Sequence, residues 1–329
     1  MHRWTDVSQV PADFGPSVVT IGNFDGVHRG HRGVLDRTVA VARERGTRSV
    51  AVTFDPHPAQ VHRPQQAPQL ITGLTDRLQL LADAGLDGVL VVGYTAEFAL
   101  TAAADFVREY LVEGLGAVCI VAGRDVRFGA GNAGDLATLV ELGAGLGFDV
   151  EVVDDVQGHP PGRRWSSTWV RELLAAGDVA TAAQVLGRPH RVRGVVVRGQ
   201  ARGRALGFPT ANLGDDASGV IPADGVYAGW MRRLGQPADA PDAYLPVAIS
   251  VGTNPTFAGT GRRVEAHVPG RTDLELYGEE VIVEFVARLR PMVKFDSVAE
   301  LVAQMDDDVA RTREVVAAGP PGLGGQVGG

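Results

Sequence analysis

The feature that most constrains the fold is a change of hydrophobic period near residue 188. Before this point, short apolar segments alternate with amphipathic helical patterns; the apolar segments are "SVVTIG", "SVAVTF", "GVLVVG", "AVCIVAG" and "DVEVVDD". Apolar strands that alternate with such helices form a parallel sheet that helices cover on both faces. The first half is therefore predicted to be α/β, and ligands of such sheets bind beyond the carboxyl ends of the strands.

Several helices of the first half are predicted to end at glycine. "HRGVLDRTVAVARERG" places its apolar residues on one face and ends at Gly46, and "LTDRLQLLADAG" ends at Gly85. Further helices are predicted in "AADFVREYLVEG" and "GDLATLVELGAG". The segment "WSSTWVRELLAAGDVATAAQVLGRP" predicts one or two helices that end at Gly187.

After residue 188 the hydrophobic period falls to two. "VIVEFVARL" places alternate residues on one face, namely Val281, Val283, Phe285, Ala287 and Leu289. Further strands are predicted in "RVRGVVVRG", "GVYAGWMRR", "LPVAISVG" and "RRVEAHV", with a hairpin loop over 235–243. Many short strands separated by turns predict an antiparallel barrel. A closing helix is expected with Ser297 as its N-cap, followed by a disordered tail.

Composition excludes several classes of protein. A net charge of −8 argues against nucleic acid as the main partner, because such binding favours a basic surface. No apolar run reaches the length of a membrane span, and the N-terminal residues lack the apolar region of a secretory signal. Cys119 is the only cysteine, which excludes a disulfide framework and favours a cytoplasmic location. Lys294 is the only lysine, so a mechanism that needs one has a single candidate.

Two histidines follow a glycine-containing turn where a strand is predicted to give way to a helix. The strand ends at Ile21, and Gly22 and Gly26 let the backbone turn tightly and approach a ligand. The first amides and the dipole of a helix attract phosphate. His28 and His31 share one helical face, where they can donate hydrogen bonds to phosphate oxygens as pyrophosphate leaves.

Taken alone, the pair also fits two surface histidines on a helix, which is the simpler interpretation. A metal site would need further ligands, and none stands at an obvious spacing. The full string "GNFDGVHRGH" resembles the signature of the HxGH nucleotidyltransferase superfamily, and most of all its flavin adenylyltransferase branch. This resemblance implies catalytic roles for His28 and His31, and ATP binding by Gly22, Asn23, Phe24, Asp25 and Gly26.

A second string of the first half supports phosphate binding. "WSSTWVREL" places three hydroxyls at the start of a helix, where they can cap it or bind phosphate, and an arginine one turn later. A plain helix cap is the alternative for the hydroxyls. The string resembles the family's Ser-Ser-Thr-x-x-Arg motif. The resemblance implies that Arg171 is catalytic and that three residues bind ATP, namely Ser166, Ser167 and Thr168.

Two loops of the first half are also similar to that family. "TFDPHP" (53–58) follows the second strand, and "AGRDVRFGAGNAGD" (122–135) follows a later one. The resemblance implies contacts with flavin or nucleotide from Asp55, His57, Asp125, Arg127 and Phe128.

The second half carries a phosphate-binding motif of its own. In "GRALGFPTANL" (203–213), Thr210 and Asn212 stand two residues apart, so in an extended segment both can reach one Mg²⁺ on nucleotide phosphates. A turn of a barrel without function is the alternative. The string resembles the riboflavin kinase module, which implies a phosphate loop formed by Gly203, Arg204, Gly207, Phe208 and Pro209.

Downstream strings follow the order of that kinase module. The glutamate of "RRVEAHV" is Glu265, which the resemblance implies to be the catalytic base that accepts a ribityl hydroxyl proton. Without the resemblance, a glutamate on a strand surface is the simpler interpretation. Three further residues are implied in flavin or nucleotide binding, namely Asn254, Tyr277 and Arg290. No G-x-x-x-x-G-K-[ST] string is present, so the kinase is not predicted to be a P-loop enzyme.

The two motif sets cover roughly 15–315 and resemble the bifunctional bacterial riboflavin kinase/FAD synthetase family. The implied fold is a Rossmann-like parallel-sheet nucleotidyltransferase domain (1–187), then an antiparallel β-barrel riboflavin kinase domain with a C-terminal helix (188–316). Residues 317–329 form the expected tail.

The resemblance implies two reactions. Riboflavin and ATP give FMN in the second half, and FMN and ATP give FAD and pyrophosphate in the first, with Mg²⁺ at each ATP. Riboflavin, FMN and ATP are the expected partners, with no nucleic acid and no membrane; the oligomeric state stays open. The alternatives are another nucleotidyltransferase with a non-catalytic barrel, and a flavin-binding regulatory protein.

Overall fold

The computed structural model describes residues 1–154, 163–199, 206–256 and 259–320. Residues 321–329 of the predicted tail therefore lie outside the described residues. The chain forms two compact units. The first comprises Met1–Gln69 and Leu74–Ser166, and the second comprises Leu70–Gly73 and Ser167–Gly329.

A parallel sheet forms the centre of the first unit. Its strands in chain order are β1 (His2–Trp4), β2 (Ser17–Ile21), β3 (Arg48–Asp55), β4 (Gly88–Gly93), β5 (Ala117–Gly123) and β6 (Asp149–Val153). Their spatial order is β1-β4-β3-β2-β5-β6, and all neighbours are parallel. The central strands are buried along most of their length, as continuous apolar segments predict.

Helices cover both faces of this sheet. They are α1 (Arg29–Arg45), α2 (Pro58–His62), α3 (Leu74–Asp83), α4 (Ala103–Phe106) and α5 (Leu136–Leu146). Short 3₁₀ segments lie at Val7–Gln9, Pro64–Gln66, Phe98–Leu100 and Ala130–Asn132. Helix α1 ends as predicted, because Gly46 adopts the left-handed conformation (φ 64°) that favours glycine.

One predicted helix has a different form. "AADFVREYLVEG" is α-helical only over Ala103–Phe106 and continues as a π-helix over Val107–Gly114. Phe106, Val107 and Leu111 are buried in the core beside β5. The apolar pattern thus predicts the buried face, but it does not distinguish α-helical from π-helical hydrogen bonding.

A closed antiparallel barrel forms the centre of the second unit. Its strands are β7 (His190–Val197), β8 (Thr210–Leu213), β9 (Gly225–Arg233), β10 (Tyr244–Thr256), β11 (Gly259–His267) and β12 (Glu280–Arg290). Around the barrel they follow the order β10-β11-β8-β7-β12-β9. The predicted combination of a parallel α/β half and an antiparallel barrel half is confirmed.

Strand β12 departs from strict alternation. Val281, Val283 and Phe285 are buried as predicted, but Ile282 on the other face is buried as well. Helix α7 (Val179–Leu186) packs against this strand, so both of its faces exclude solvent there. Irregular register with β9 beyond Phe285 then disturbs the period.

Helix α6 (Ser167–Ala176) packs against α7 and forms hydrogen bonds with the barrel. Nη1 of Arg288 donates to the Ala176 carbonyl (3.1 Å), and the Ala223 amide donates to the Leu174 carbonyl (2.9 Å). Gly177, at the end of α6, has a positive φ (78°), a conformation that favours glycine. Helix α8 (Val298–Val315) closes the unit, with Ser297 as its N-cap as predicted.

Candidate active sites

The loop after β2 is a strained turn that places its motif residues in different environments. Phe24 (φ 48°), Gly26 (φ 80°) and Val27 (φ 39°) all have positive φ, which is uncommon outside glycine. The Phe24 ring is buried in the core, and a Cβ at Gly22 would lie 2.9 Å from it. Asp25 is also buried. Because both side chains point into the protein, the loop offers mainly backbone to a ligand.

His28 and His31 lie together at the start of α1. Their rings stack with centroids 3.7 Å apart, and Nδ1 of His28 accepts the amide hydrogen of His31 (3.3 Å). Since Nδ1 is an acceptor, the neutral His28 ring carries its proton on Nε2. A Cβ at Gly30 would lie 3.1 Å from the His28 ring and 3.2 Å from the Trp165 carbonyl oxygen. The glycine between the histidines therefore makes room for the stacked pair.

His31 is neutral at physiological pH. Burial, together with the positive charge of Arg164, lowers the pKa of its ring to about 3. Phe24 packs edge-on against the ring. A neutral imidazole donates one N–H hydrogen bond, so this residue can bind an anion as a hydrogen-bond donor and not as a cation.

The loop after β3 is held by a residue that sequence analysis missed. Arg77 of α3 is fully buried and donates to the carbonyls of Asn23 (3.1 Å) and Phe54 (3.0 Å), and it pairs with Asp55 (3.4 Å). His57 caps α2, since its Nδ1 accepts the Ala59 amide hydrogen. One feature of the sequence could have indicated its burial. Arg77 lies on the apolar face of the helix predicted in "LTDRLQLLADAG", three residues after Leu74 and four before Leu81.

An aromatic cavity of about 600 Å³ opens beside these two loops, a size typical of small-molecule sites. Its wall includes a group of aromatic rings, namely Phe54, His62, Tyr94, Phe98, Phe106 and Phe128. Asn23 and Arg127 contribute polar groups. Of the residues predicted on the 122–135 loop, Arg127 and Phe128 line the cavity, whereas Asp125 pairs with Arg164 (2.5 Å).

The Ser-Ser-Thr-x-x-Arg residues lie on both sides of the division between the units. Ser166 is the last residue of the first unit, and α6 of the second unit begins at Ser167. Thr168 is exposed on the first turn and Arg171 is partly exposed one turn later. Their neighbours Trp169 and Val170 are buried, so the amphipathic helix directs the motif residues away from its packed face.

The kinase motif residues of the second unit converge. Glu265 on β11 lies opposite Asn212 on β8, and His267 lies opposite Thr210. Oγ1 of Thr210 donates to Glu265 (3.3 Å) and accepts from Nδ2 of Asn212 (3.2 Å). The alternation of the strand puts Thr210 and Asn212 on one face, as their spacing predicts.

Two cavities meet at this cluster. One of about 160 Å³ is largely apolar and is lined by Phe208, Glu265, Arg290 and residues of α8. The other, of about 60 Å³, is lined by Asn212, Tyr277 and their neighbours. Thr210 lines both. The cluster can therefore contact one ligand in each cavity.

The donor set at β8 fits a magnesium ion bound to phosphates. Thr210, Asn212 and Glu265 offer hydroxyl, amide and carboxylate oxygens, which hard cations prefer. A Cβ at Gly199 would lie 2.5 to 2.7 Å from the amide group of Asn212, so Gly199 leaves the space that this side chain occupies. Within the described part of the chain, no group of three or more His, Cys, Asp or Glu residues could hold a metal.

Of the other predicted kinase residues, four line these two cavities, namely Phe208, Pro209, Tyr277 and Arg290. Gly203 and Arg204 lie outside the described residues, and Gly207 has a positive φ (88°). The ring of Phe208 packs edge-on against His267. Nδ1 of His267 donates a hydrogen bond to the Pro209 carbonyl (2.9 Å). The remaining three are Asn254 within β10, Tyr277 half-exposed beneath Arg198, and Arg290 paired with Asp308 (2.7 Å).

Fold and sites together define a two-module transferase that acts on nucleotides. The FAD synthetase family model matches residues 10–168, and the riboflavin kinase family model matches residues 186–316. The chain belongs to the family of bifunctional riboflavin kinases/FMN adenylyltransferases. It is thus an enzyme with a riboflavin kinase module and a FAD synthetase module.

Relatives match nearly the whole chain. The bifunctional riboflavin kinase/FMN adenylyltransferase of Escherichia coli K12 is 37% identical and is matched over 94% of this chain and 95% of its own length. The proteins of the same name from Listeria monocytogenes and Bacillus subtilis are 34% and 32% identical; the alignments cover 94% and 89% of this chain, and 93% and 90% of the relatives. A crystal structure from Streptococcus pneumoniae, named a macrolide-efflux protein, matches with a TM-score of 0.82 and 30% identity, over 94% of this chain and 98% of that one. Among the described helices, none is long and apolar enough to span a membrane.

Proposed function

We propose that FMN is adenylylated at the start of α1, where His28 and His31 bind the ATP phosphates, and that riboflavin is phosphorylated at the β8–β11 cluster, where Glu265 is the base. The observation that supports both assignments is that each motif set lies beside its own cavity. Asn23 of the first motif lines the 600 Å³ aromatic cavity, and Glu265 lines the 160 Å³ apolar cavity.

In the adenylyl transfer, a phosphate oxygen of FMN attacks the α-phosphorus of ATP, and the bond from that phosphorus to the bridging oxygen breaks to release pyrophosphate. The FMN phosphate is already anionic, so no general base is required. His28 and His31 donate N–H hydrogen bonds to the leaving phosphates and stabilise their developing charge. The aromatic rings of the cavity bind the flavin ring by stacking.

In the phosphoryl transfer, a ribityl hydroxyl oxygen attacks the γ-phosphorus of ATP, its proton passes to Glu265, and ADP leaves. Thr210 holds Glu265 in place through its hydroxyl hydrogen bond. Thr210 and Asn212 are proposed to hold Mg²⁺, which neutralises phosphate charge when bound. The largely apolar 160 Å³ cavity suits an apolar face of the flavin ring, and the 60 Å³ cavity on the other side of Thr210 has room for a phosphate group of the nucleotide.

We further propose that the enzyme acts in the cytoplasm without nucleic-acid or membrane partners. The support is a single buried cysteine and a net charge of −8.

The first experiment incubates the protein with riboflavin, ATP and Mg²⁺ and separates the flavins by chromatography. We expect FMN and then FAD. Replacement of both histidines (His28→Ala with His31→Ala) stops FAD formation while FMN accumulates. His2→Ala, a surface histidine at the start of β1, is the matched control and retains both products. Loss of FMN formation in the double variant, with FAD synthesis intact, would reverse the assignment of the two units.

The second experiment tests the kinase base. Glu265→Gln keeps the size of the side chain but cannot accept the proton, so FMN formation falls by about 10²-fold or more, the contribution of a general base. FAD synthesis from added FMN continues. Glu280→Gln removes a carboxylate that pairs with Arg193 on the barrel and serves as control. Equal effects of the two substitutions would reject Glu265 as the base.

A further inference from the structure

Arg77 joins the two loops that carry the adenylyltransferase motifs. Its guanidinium donates to the Asn23 carbonyl in the loop after β2 and to the Phe54 carbonyl at the end of β3. Thr53 donates a further hydrogen bond to the same Asn23 carbonyl (3.2 Å). Asn23 and Phe54 both line the aromatic cavity. One buried side chain thus fixes two walls of the cavity relative to each other.

The charges around Arg77 belong to the same two motifs. Asp55 of "TFDPHP" forms an ion pair with it, and Asp25 of "GNFDG" also acts on it electrostatically. Asp25 is buried, and both carboxylates have this cation nearby. The guanidinium itself is buried, although Asp55 is partly exposed, so a loop that moved away from Arg77 would leave a buried cation with fewer partners, which is costly.

The backbone after Asn23 is strained, so the hydrogen bonds of Arg77 help to hold its conformation. Phe24 and Val27 adopt positive φ, a conformation that persists only where the surroundings enforce it. His28 follows directly, and its ring position depends on where this turn ends. Any displacement of the Asn23 carbonyl would therefore move the histidine pair relative to the cavity.

We propose that Arg77 is a positioning residue for adenylyl transfer: it holds the histidine loop in register with the flavin cavity, so that the FMN phosphate meets the α-phosphate of ATP. This inference rests on the proposed function of the first unit. Arg77 acts through Asn23 and Phe54, and it is not itself a group that contacts the reacting atoms. Its planar fork reaches several acceptors at once, which a lysine cannot reproduce.

The test is Arg77→Lys, which keeps the positive charge but replaces the planar guanidinium with an ammonium group. A small misplacement of reacting groups costs about 100-fold in rate, so kcat for FAD formation from FMN falls by about that factor, while KM for ATP changes less than about threefold. The riboflavin kinase activity of the same chain stays within about twofold of wild type, and the retained KM for ATP of the FAD synthesis reports that the first unit is folded. The matched control is Arg45→Lys, which alters an exposed arginine–aspartate pair of α1 and retains both activities.

A second variant decides the outcome if Arg77→Lys does not fold. Thr53→Val is nearly isosteric and removes the other hydrogen bond to the Asn23 carbonyl, so a smaller displacement is expected and kcat for FAD formation falls by about fivefold. Unchanged FAD synthesis in Arg77→Lys, or in Thr53→Val where the first variant is unfolded, would overturn the positioning role. A raised KM with unchanged kcat would also overturn it. Wild-type protein that forms no FAD would instead overturn the proposed function itself.

Discussion

Acid should weaken the barrel through one buried histidine. His190 at the start of β7 is almost fully buried, its Nε2 donates to the Val220 carbonyl (2.6 Å), and its ring stacks on Phe285. Burial lowers the pKa of the ring to about 4, and the charges of Arg188 and Arg191 act in the same direction. The folded barrel therefore holds this imidazole neutral at pH values where an unfolded chain protonates it.

The direction and the magnitude of this pH effect on stability depend on the pKa of His190 in the folded and in the unfolded state. The unfolded pKa is near 6.5 and the folded pKa is about 4, so the unfolded state binds more protons between them and stability falls as pH decreases through this window. At about 1.4 kcal/mol per pH unit, the full loss is about 3 kcal/mol. Between pH 7.5 and pH 5 the loss is about 2 kcal/mol.

The perturbation is His190→Gln, whose amide nitrogen can still donate to the Val220 carbonyl but does not titrate. We expect the substitution to lower the free energy of unfolding modestly at pH 7.5. Between pH 7.5 and pH 5, the variant should lose about 2 kcal/mol less of this free energy than the wild type does. Urea titrations of the full chain at pH 7.5 and pH 5, each followed by a brief protease pulse and quantification of peptides from 190–290, measure the free energy of unfolding of the barrel. Parallel losses in wild type and variant would refute the reasoning.

Three further predictions follow from single contacts. Gly30→Ala places a methyl group 3.1 Å from the His28 ring, so FAD synthesis falls at least about tenfold in a flavin chromatography assay while kinase activity is retained. Gly199→Ala displaces the Asn212 amide, so the Mg²⁺ concentration needed for half-maximal FMN formation rises at least about tenfold, measured by titration. Asp308→Ala removes the ion pair between this buried carboxylate and the partly buried Arg290, and it lowers the free energy of unfolding by about 3 kcal/mol in denaturant titrations.

Hydrophobic period and capping residues predicted most of the architecture. The change of period near residue 188 separated a parallel sheet from a barrel, because each packing arrangement exposes strand faces differently. Gly46 and Ser297 marked helix ends correctly, since left-handed backbone and side-chain capping are local properties. These features depend on few neighbours in the chain, which is why a single sequence reveals them.

Features that depend on distant contacts were not predicted. Arg77 is 54 residues from Asn23 in the chain, and no local sequence pattern predicts the hydrogen bond between them. The burial of Ile282 depends on α7, which packs on β12 from far along the chain. The motif strings located Glu265 and Asn212, but their pairing across β8 and β11 requires the barrel register. The roles assigned to the site residues remain predictions for the assays described above.

The attachment of α6 to the barrel affects how the gene can be divided. A fragment that ends at residue 166 lacks α6 and α7, whereas one that ends at residue 187 keeps this helix pair without the barrel residues that hydrogen-bond to α6. Engineers who want an isolated FAD synthetase would need to redesign the exposed face of α6 and α7 with polar residues, while a kinase fragment should begin before α6 and not at β7.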